Sequence, residues 1–191
     1  MTKRFIGMEE SKMSKNVVII SSSLRNNSNS EALANAFAEG AKAVGHEVAQ
    51  ITLRGKEIKF CQGCLSCQNT MHCVLKDDAN DIVEQMGRAD VLVFATPVYY
   101  YGMSGQLKTL LDRANPLFPA DYRFRDVYLL AAAAEDEAET VDGTRTGVQG
   151  WVDCFERAQL TETIFCGGVT GAGEIKGNAA LEKARQAGSR I

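Results

Sequence analysis

The sequence predicts a single doubly wound α/β domain. Three observations carry this. Five short apolar or β-branched runs alternate with longer amphipathic stretches from Val17 onward. Two of those runs, Val17-Val18-Ile19-Ile20 and Val91 to Ala95, are apolar without a break, as in parallel strands covered on both faces. Each of the two ends in an unusual loop, one rich in serine and one in tyrosine. Strands separated by helices imply a parallel sheet with right-handed crossovers.

Taken in order, Val17–Ile20 gives the first strand, followed by the polar loop Ser21 to Asn29. Leu33, Phe37, Ala41 and Val44 then mark one face of a helix that Gly45 closes. His46 to Leu53 alternates around Val48, Ile51 and Leu53 and suits a strand nearer an edge. After a cysteine-rich loop, Asp77-Asp78 are N-cap candidates for a helix carrying Ile82, Val83 and Met86. Val91 to Ala95 is the third strand, cut off by Thr96-Pro97, and Gln106 to Ala114 the next helix. Val127 to Ala134 is a fourth strand. Val148, Trp151, Val152 and Phe155 mark a further helix, Thr163 to Cys166 a short fifth strand, and Leu181 to Ala187 the last helix.

With 191 residues, 45% of them hydrophobic and 24% charged, the chain suits one ordinary globular domain with a sizeable core. No repeat, low-complexity tract or linker divides it. A net charge of −3 offers no basic footprint for nucleic acid or an anionic membrane. No apolar run approaches the roughly 20 residues of a membrane span. Met1 to Lys15 lacks the apolar core of a signal peptide and reads as a mobile leader to a domain over 16–191; Met8 and Met13 leave the start residue open. A cytoplasmic protein is expected, with its six cysteines reduced or ligating a metal.

In doubly wound sheets, ligands bind beyond the carboxyl ends of the strands, where the strand order reverses. For the order 2-1-3-4-5 that crevice lies between the loops after strands one and three. The first loop, Ser21 to Ser30, joins a buried strand to a helix start, whose free N–H groups and positive dipole end suit a phosphate. Its hydroxyls and amides add donors and Arg25 a charge, without the glycine pattern of a nucleoside triphosphate or dinucleotide turn. The plainer reading is an ordinary polar loop with Ser30 as N-cap. The second loop, Thr96 to Lys108, sets Tyr99, Tyr100 and Tyr101 before Gly102, where a planar ligand would lie. Here the plainer reading is tyrosines packed on a neighbouring helix or subunit.

Cys61, Cys64, Cys67 and Cys73 place four thiols within 13 residues. Thiolates so spaced suit zinc or an iron–sulfur cluster; reduced thiols packing a loop is the other reading. Cys154 and Cys166 read as buried core residues, and His72 as an exposed one.

The sequence resembles the NAD(P)H-dependent FMN reductases and iron–sulfur flavoproteins of the flavodoxin-like superfamily, over nearly the whole chain from Val17. The resemblance is carried by Ser23-Leu24-Arg25…Asn29-Ser30, by the cysteines running into Lys76-Asp77-Asp78, and by Pro97-Val98-Tyr99…Met103-Ser104…Gln106-Leu107-Lys108…Asp112-Arg113. It implies a flavodoxin-like three-layer sandwich with a five-stranded parallel sheet in the order 2-1-3-4-5. It implies FMN as cofactor, with the phosphate on Ser23, Arg25, Asn29 and Ser30. The ring would lie on Pro97, Val98, Tyr99, Tyr100 and Gly102, with Ala134 from the loop after strand four. It also implies NAD(P)H as co-substrate, a small-molecule electron acceptor, and a homodimer or tetramer with the tyrosine and cysteine loops near the interface. The cysteine spacing resembles the motif that holds a [4Fe–4S] cluster near the flavin, with ferredoxin a candidate partner. One departure is Ser22, where the family commonly has glycine.

The chemistry implied belongs to the flavin, with no side chain acting as acid or base. A flavodoxin-type carrier and a metal- or redox-sensing protein are the competing classes. With two histidines and no nucleophile elbow, a Ser-His-Asp hydrolase is unsupported. The glycines Gly167-Gly168 and Gly171-x-Gly173 follow the last strand, the wrong place for a dinucleotide fingerprint. The acidic run from Glu135 reads as a solvated loop. Arg113, Arg123 and Arg125 are candidates for a nicotinamide phosphate or for surface ion pairs.

Overall fold

The computed structural model describes residues 13–191, so the expected leader falls almost wholly outside the described residues. Among the described residues six strands form: β1 (Asn16–Ser21), β2 (Glu47–Thr52), β3 (Val91–Tyr99), β4 (Gly102–Met103), β5 (Asp126–Ala132) and β6 (Gln159–Cys166). Five of them make one parallel sheet in the order β2-β1-β3-β5-β6, which is the expected order once the two-residue β4 is set aside. β4 was not legible in the sequence. It folds back antiparallel on the end of β3, pairing Tyr99 with Gly102 and Val98 with Met103.

The helices are α1 (Asn29–Ala43), α2 (Cys67–Thr70), α3 (Ala79–Arg88), α4 (Gly105–Arg113), α5 (Asp142–Val152) and α6 (Ala179–Arg190). Successive residues of a strand point to opposite faces, so the apolar strands feed two cores. Val17, Ile19, Val91, Val93 and Leu130 pack with Phe37 of α1 and Ala184 of α6 on one face. Val18, Ile20, Leu92, Phe94 and Leu129 pack with Met86 of α3, Leu110 of α4 and Val148 of α5 on the other. Doubly wound is therefore the right description, with the sheet between two helix layers. α1 and α6 meet backbone to backbone. A Cβ on Gly40 would stand 1.9 Å from Arg185 O, and one on Gly188 2.1 Å from Phe37 O. Only glycine at both positions lets the two axes come this close.

Several boundaries differ from those expected. β3 runs on through Pro97 to Tyr99, because pairing with β1 ends at Ala95 and the missing donor of Pro97 costs no bond on that side. β6 starts at Gln159; its first residues alternate exposed and half-buried, as on an edge. α5 starts at Asp142, well before its apolar residues, because tertiary packing overrides the poor propensity of Gly143-Thr144-Arg145-Thr146-Gly147. Val44 is the exposed C-cap of α1 rather than part of its buried face. Cys154 is exposed and not a core residue, since it lies in the turn past the end of α5, whereas Cys166 is buried as expected. Among the described residues no helix is long and apolar enough to cross a membrane.

Candidate functional site

The carboxyl ends of β1 and β3 stand side by side, and the serine and tyrosine loops flank the crevice beyond them. Ser28, not Ser30, caps α1: its Oγ accepts from Glu31 N at 3.2 Å. That places Ser30 inside the first turn, with its side-chain oxygen buried and without a hydrogen-bond partner. A buried hydroxyl left unpaired is costly, so this one points to a ligand. Arg54, just past β2, steadies the loop from outside by bonding Asn26 Oδ1 at 2.6 Å and both carboxylate oxygens of Glu31 at 2.8 and 2.9 Å.

A cavity of about 180 Å³ opens in front of this helix start. Ser23, Arg25, Asn29 and Ser30 line it from the first loop, and Pro97, Val98, Tyr99 and Ala134 from the ends of β3 and β5. A second hollow of about 320 Å³ shares Val98, Tyr99, Ala133 and Ala134 with the first and continues past Tyr100 and Tyr101 to Glu135. The two form one trough, polar at the helix start and aromatic at the far end. Of the sequence-predicted residues, Gly102 lines neither hollow; it closes the hairpin opposite Tyr99.

The hairpin is strained. Tyr100 and Tyr101, its two linking residues, have φ of 48° and 63°, the left-handed pair of a type I′ turn normally given to asparagine and glycine. Tyr100 is wholly exposed and Tyr99 half exposed. Tyr101 is fixed on both sides. Its backbone oxygen lies against Gly143 of α5, where a Cβ would approach to 2.2 Å. A hydrogen bond to the Glu135 carboxylate, and the charge of that carboxylate, push the Tyr101 phenol above its ordinary pKa.

Ser22 is buried and bonded on both sides. Its hydroxyl donates to Ala95 O at 3.2 Å and accepts from Ser104 Oγ at 2.8 Å. Ser104 is the N-cap of α4 and donates its own N–H to Thr96 Oγ1 at 3.0 Å. One chain of hydroxyls thus joins the serine loop to the tyrosine loop beneath the trough.

A third wall was missed in the sequence. Val169, Thr170 and Ala172, in the glycine-rich loop after β6, line the smaller cavity. The glycines that fail as a dinucleotide fingerprint are those of this wall, and their density was the available signal. Arg25 Nη1 donates to Thr170 O at 2.9 Å, and the Asn29 side chain bonds Gly171 O and Ile175 N.

The cysteine loop forms a separate site. Cys61, Cys64, Cys67 and Cys73 face one cavity of about 440 Å³, floored by Asn115, Trp151 and Phe155 and bordered by Cys154. Asn115 Nδ2 donates to Cys67 Sγ at 3.1 Å. Hydrogen bonds from Ser66 lower the Cys64 thiol below its ordinary pKa. The donors fit a soft metal or an iron–sulfur cluster chemically. Among the described residues, however, no three His, Cys, Asp or Glu side chains already stand together as a metal site. Loading would therefore require the loop to draw in.

Both ends of this loop are gripped by a buried ion pair. Arg113, at the end of α4, bonds Asp77 at 2.6 and 2.9 Å and Lys59 O at 2.8 Å, and reaches Leu75 O at 3.3 Å. Burial raises the Asp77 carboxyl, but the hydrogen bonds from Arg113, Lys59 N and Ala79 N outweigh it and hold the pKa below the usual range. Arg113 is thus no nicotinamide anchor, because its charge is spent inside the fold. Arg123 pairs with Asp90 at 2.8 Å, and Arg125 bonds the backbone oxygens of Tyr122, Arg123 and Phe124. Both stand before β5, at the end of the sheet opposite the trough.

Comparison with known proteins agrees with this architecture. Residues 15–191 match the family model described as NADPH-dependent FMN reductase. An iron–sulfur flavoprotein of Methanosarcina thermophila is 37% identical over 159 residues, covering 79% of this chain and 80% of that one. Another, from Archaeoglobus fulgidus, is 38% identical over 101 residues, 53% of this chain; the match spans about half the length of that relative. Among solved structures, an NAD(P)H:quinone oxidoreductase from Methanothermobacter marburgensis superposes with a TM-score of 0.66 at 20% identity, over 93% of this chain and 97% of that one. An FMN-dependent NADH-azoreductase from Bacillus anthracis, solved with FMN, gives 0.66 at 17% identity over 93% and 99%. At such identities the structural likeness speaks for the fold. The family model, running from just before β1 to the last residue, says more: this chain belongs to the NADPH-dependent FMN reductase family of oxidoreductases.

Proposed function

We propose that the protein is an FMN-dependent NAD(P)H oxidoreductase that passes electrons from a nicotinamide through FMN to a small acceptor such as a quinone, a free flavin, or a nitro or azo compound. The observation that carries this reading is the unpartnered, buried Ser30 hydroxyl in the first turn of α1, lining a cavity continuous with an aromatic trough. An oxyanion at the helix start would satisfy that hydroxyl together with the first free N–H groups of α1. Ser23 and Arg25 border the same space. FMN, when bound, supplies hydride chemistry at its N5 position.

The chain's own part is binding and orientation. The backbone of Pro97 and Val98 and the small side chains Ala133 and Ala134 leave a slot for a flat ring. Tyr99 and Tyr100 present aromatic surface at its open side, where donor and acceptor are taken up in turn. The hydroxyl chain Ser22–Ser104 keeps the two loops in register. Among the described residues, the ionisable side chains that line the ring end are Tyr99, Tyr100, Tyr101 and Glu135.

A second reading adds a [4Fe–4S] cluster on Cys61, Cys64, Cys67 and Cys73, with ferredoxin as a redox partner. What favours it is the convergence of these four thiols on one cavity, together with the relatives named iron–sulfur flavoproteins. Phe60, Leu65, Val74 and Phe118, exposed around that loop, support assembly as a homodimer or tetramer there. A flavodoxin-type carrier is disfavoured by the modest charge of −3.

The test is the absorbance spectrum of anaerobically purified protein before and after NADPH. Flavin bands bleached by NADPH, with turnover of a quinone and no partner protein, support the reductase. A broad shoulder with acid-labile sulfide adds the cluster. Colourless protein that takes up no FMN overturns both readings.

A further inference from the structure

We propose that the loop between β6 and α6, Val169 to Ile175, is the selectivity element of the cofactor site, admitting a flavin monophosphate and turning away a flavin dinucleotide, with Glu174 as its key residue. This rests on the FMN reading above and deepens it.

The loop is built as a fixed wall. Asn29, the first residue of α1, donates from Nδ2 to Gly171 O at 2.9 Å and accepts at Oδ1 from Ile175 N at 3.2 Å. The helix that offers its start to a phosphate therefore also holds the wall in place. Arg25 reaches across the cavity mouth to Thr170 O at 2.9 Å. Val169, Thr170 and Ala172 face the same cavity as Ser23, Ser28 and Ser30.

The wall also carries its own anion. Glu174 Oε2 accepts from Thr170 N and from Gly171 N, both at 2.7 Å. Adjacent backbone N–H groups converging on one oxygen form a ready anion site, and here the chain fills it with its own carboxylate. Those two hydrogen bonds, and secondarily the nearby Arg25 charge, hold the Glu174 carboxyl below its ordinary pKa. The negative charge is thus fixed at neutral pH.

A monophosphate ends at the start of α1 and leaves this wall closed. A diphosphate must continue past it. There it meets closed backbone, a like charge, and an N–H pair already occupied. Glu174 is exposed, outside both cores and outside the lining of the trough.

The test is equilibrium titration of the full-length apoprotein with FMN and with FAD, read by quenching of flavin fluorescence. Wild type should prefer FMN. Glu174→Gln removes the charge but keeps an acceptor, and Glu174→Ala empties the anion site. The preference should fall in the order wild type, Gln, Ala, with the alanine variant narrowing it by at least about tenfold, chiefly through tighter FAD binding. Equal binding of FMN and FAD by wild type, or an unchanged preference in the Glu174 variants, overturns the proposal. Parallel loss of both flavins in those variants would show a merely structural loop and also overturns it. Wild type that binds neither flavin overturns the FMN reading itself, a result distinguishable from all of these.

Discussion

Arg113 and Asp77 form a bidentate ion pair, at 2.6 and 2.9 Å, with both side chains fully shielded from solvent. The pair ties the end of α4 to the residues on either side of the cysteine loop, through Lys59 and Leu75 as well as Asp77 itself. Removing one partner leaves a buried charge alone. Arg113→Leu or Asp77→Leu is therefore expected to cost about 3–5 kcal/mol in urea unfolding, and the double Leu variant much less than the sum. A double-mutant cycle checks this.

The same pair sets an acid limit. The folded-state pKa of Asp77 lies below its unfolded value of about 3.9. Its contribution is then fully present above the unfolded value and is lost as pH falls through the folded one. Unfolding midpoints in urea should drop from pH 5 toward pH 2, and in Asp77→Asn this part of the slope should vanish.

Ser30→Ala separates binding from folding. Its hydroxyl has no partner in the apoprotein, so the substitution should leave apoprotein stability unchanged or slightly raised. FMN affinity should fall about tenfold, the loss of one hydrogen bond to a charged group. Isothermal titration alongside thermal unfolding reads both quantities, and a destabilised variant with normal affinity would contradict the assignment.

The tyrosine hairpin stores strain in two left-handed residues. Tyr100 is wholly exposed with φ of 48°, so Tyr100→Gly loses no packing and relieves a left-handed residue. We expect a gain of up to about 1 kcal/mol in stability, partly offset by the greater freedom of glycine in the unfolded chain. Steady-state kinetics should show a raised KM for the acceptor. Gly143→Ala acts oppositely: a Cβ 2.2 Å from Tyr101 O must push the hairpin off α5, costing about 1–3 kcal/mol.

Ser22 and Ser104 offer a sharper test of loop coupling. Ser104→Ala removes the N-cap of α4 and the donor to Ser22, and should cost about 1–2 kcal/mol. Ser22→Gly, which removes the hydroxyl that receives Ser104 Oγ, should weaken this link while keeping FMN binding. Near-ultraviolet circular dichroism of the tyrosines would report a loosened loop.

The sequence by itself determined a parallel sheet between helices, because unbroken apolar strands such as Val91–Ala95 can only be buried on both faces; the strand order followed from the family resemblance, since alternation with helices fits more than one doubly wound order. It also located both loops of the trough, since serines before a helix and tyrosines before glycine have local physical meanings. What it left undecided depended on partners distant in the chain. The wall at Thr170 is invisible until Asn29 and Arg25 reach it across some 140 residues. Arg113 looks like a surface cation until Asp77 is folded against it. Ser30 looks like a cap until Ser28 takes that role. Local propensity is written in neighbouring residues, whereas burial, pairing and the shape of a cavity are settled only when the tertiary structure brings remote segments into contact.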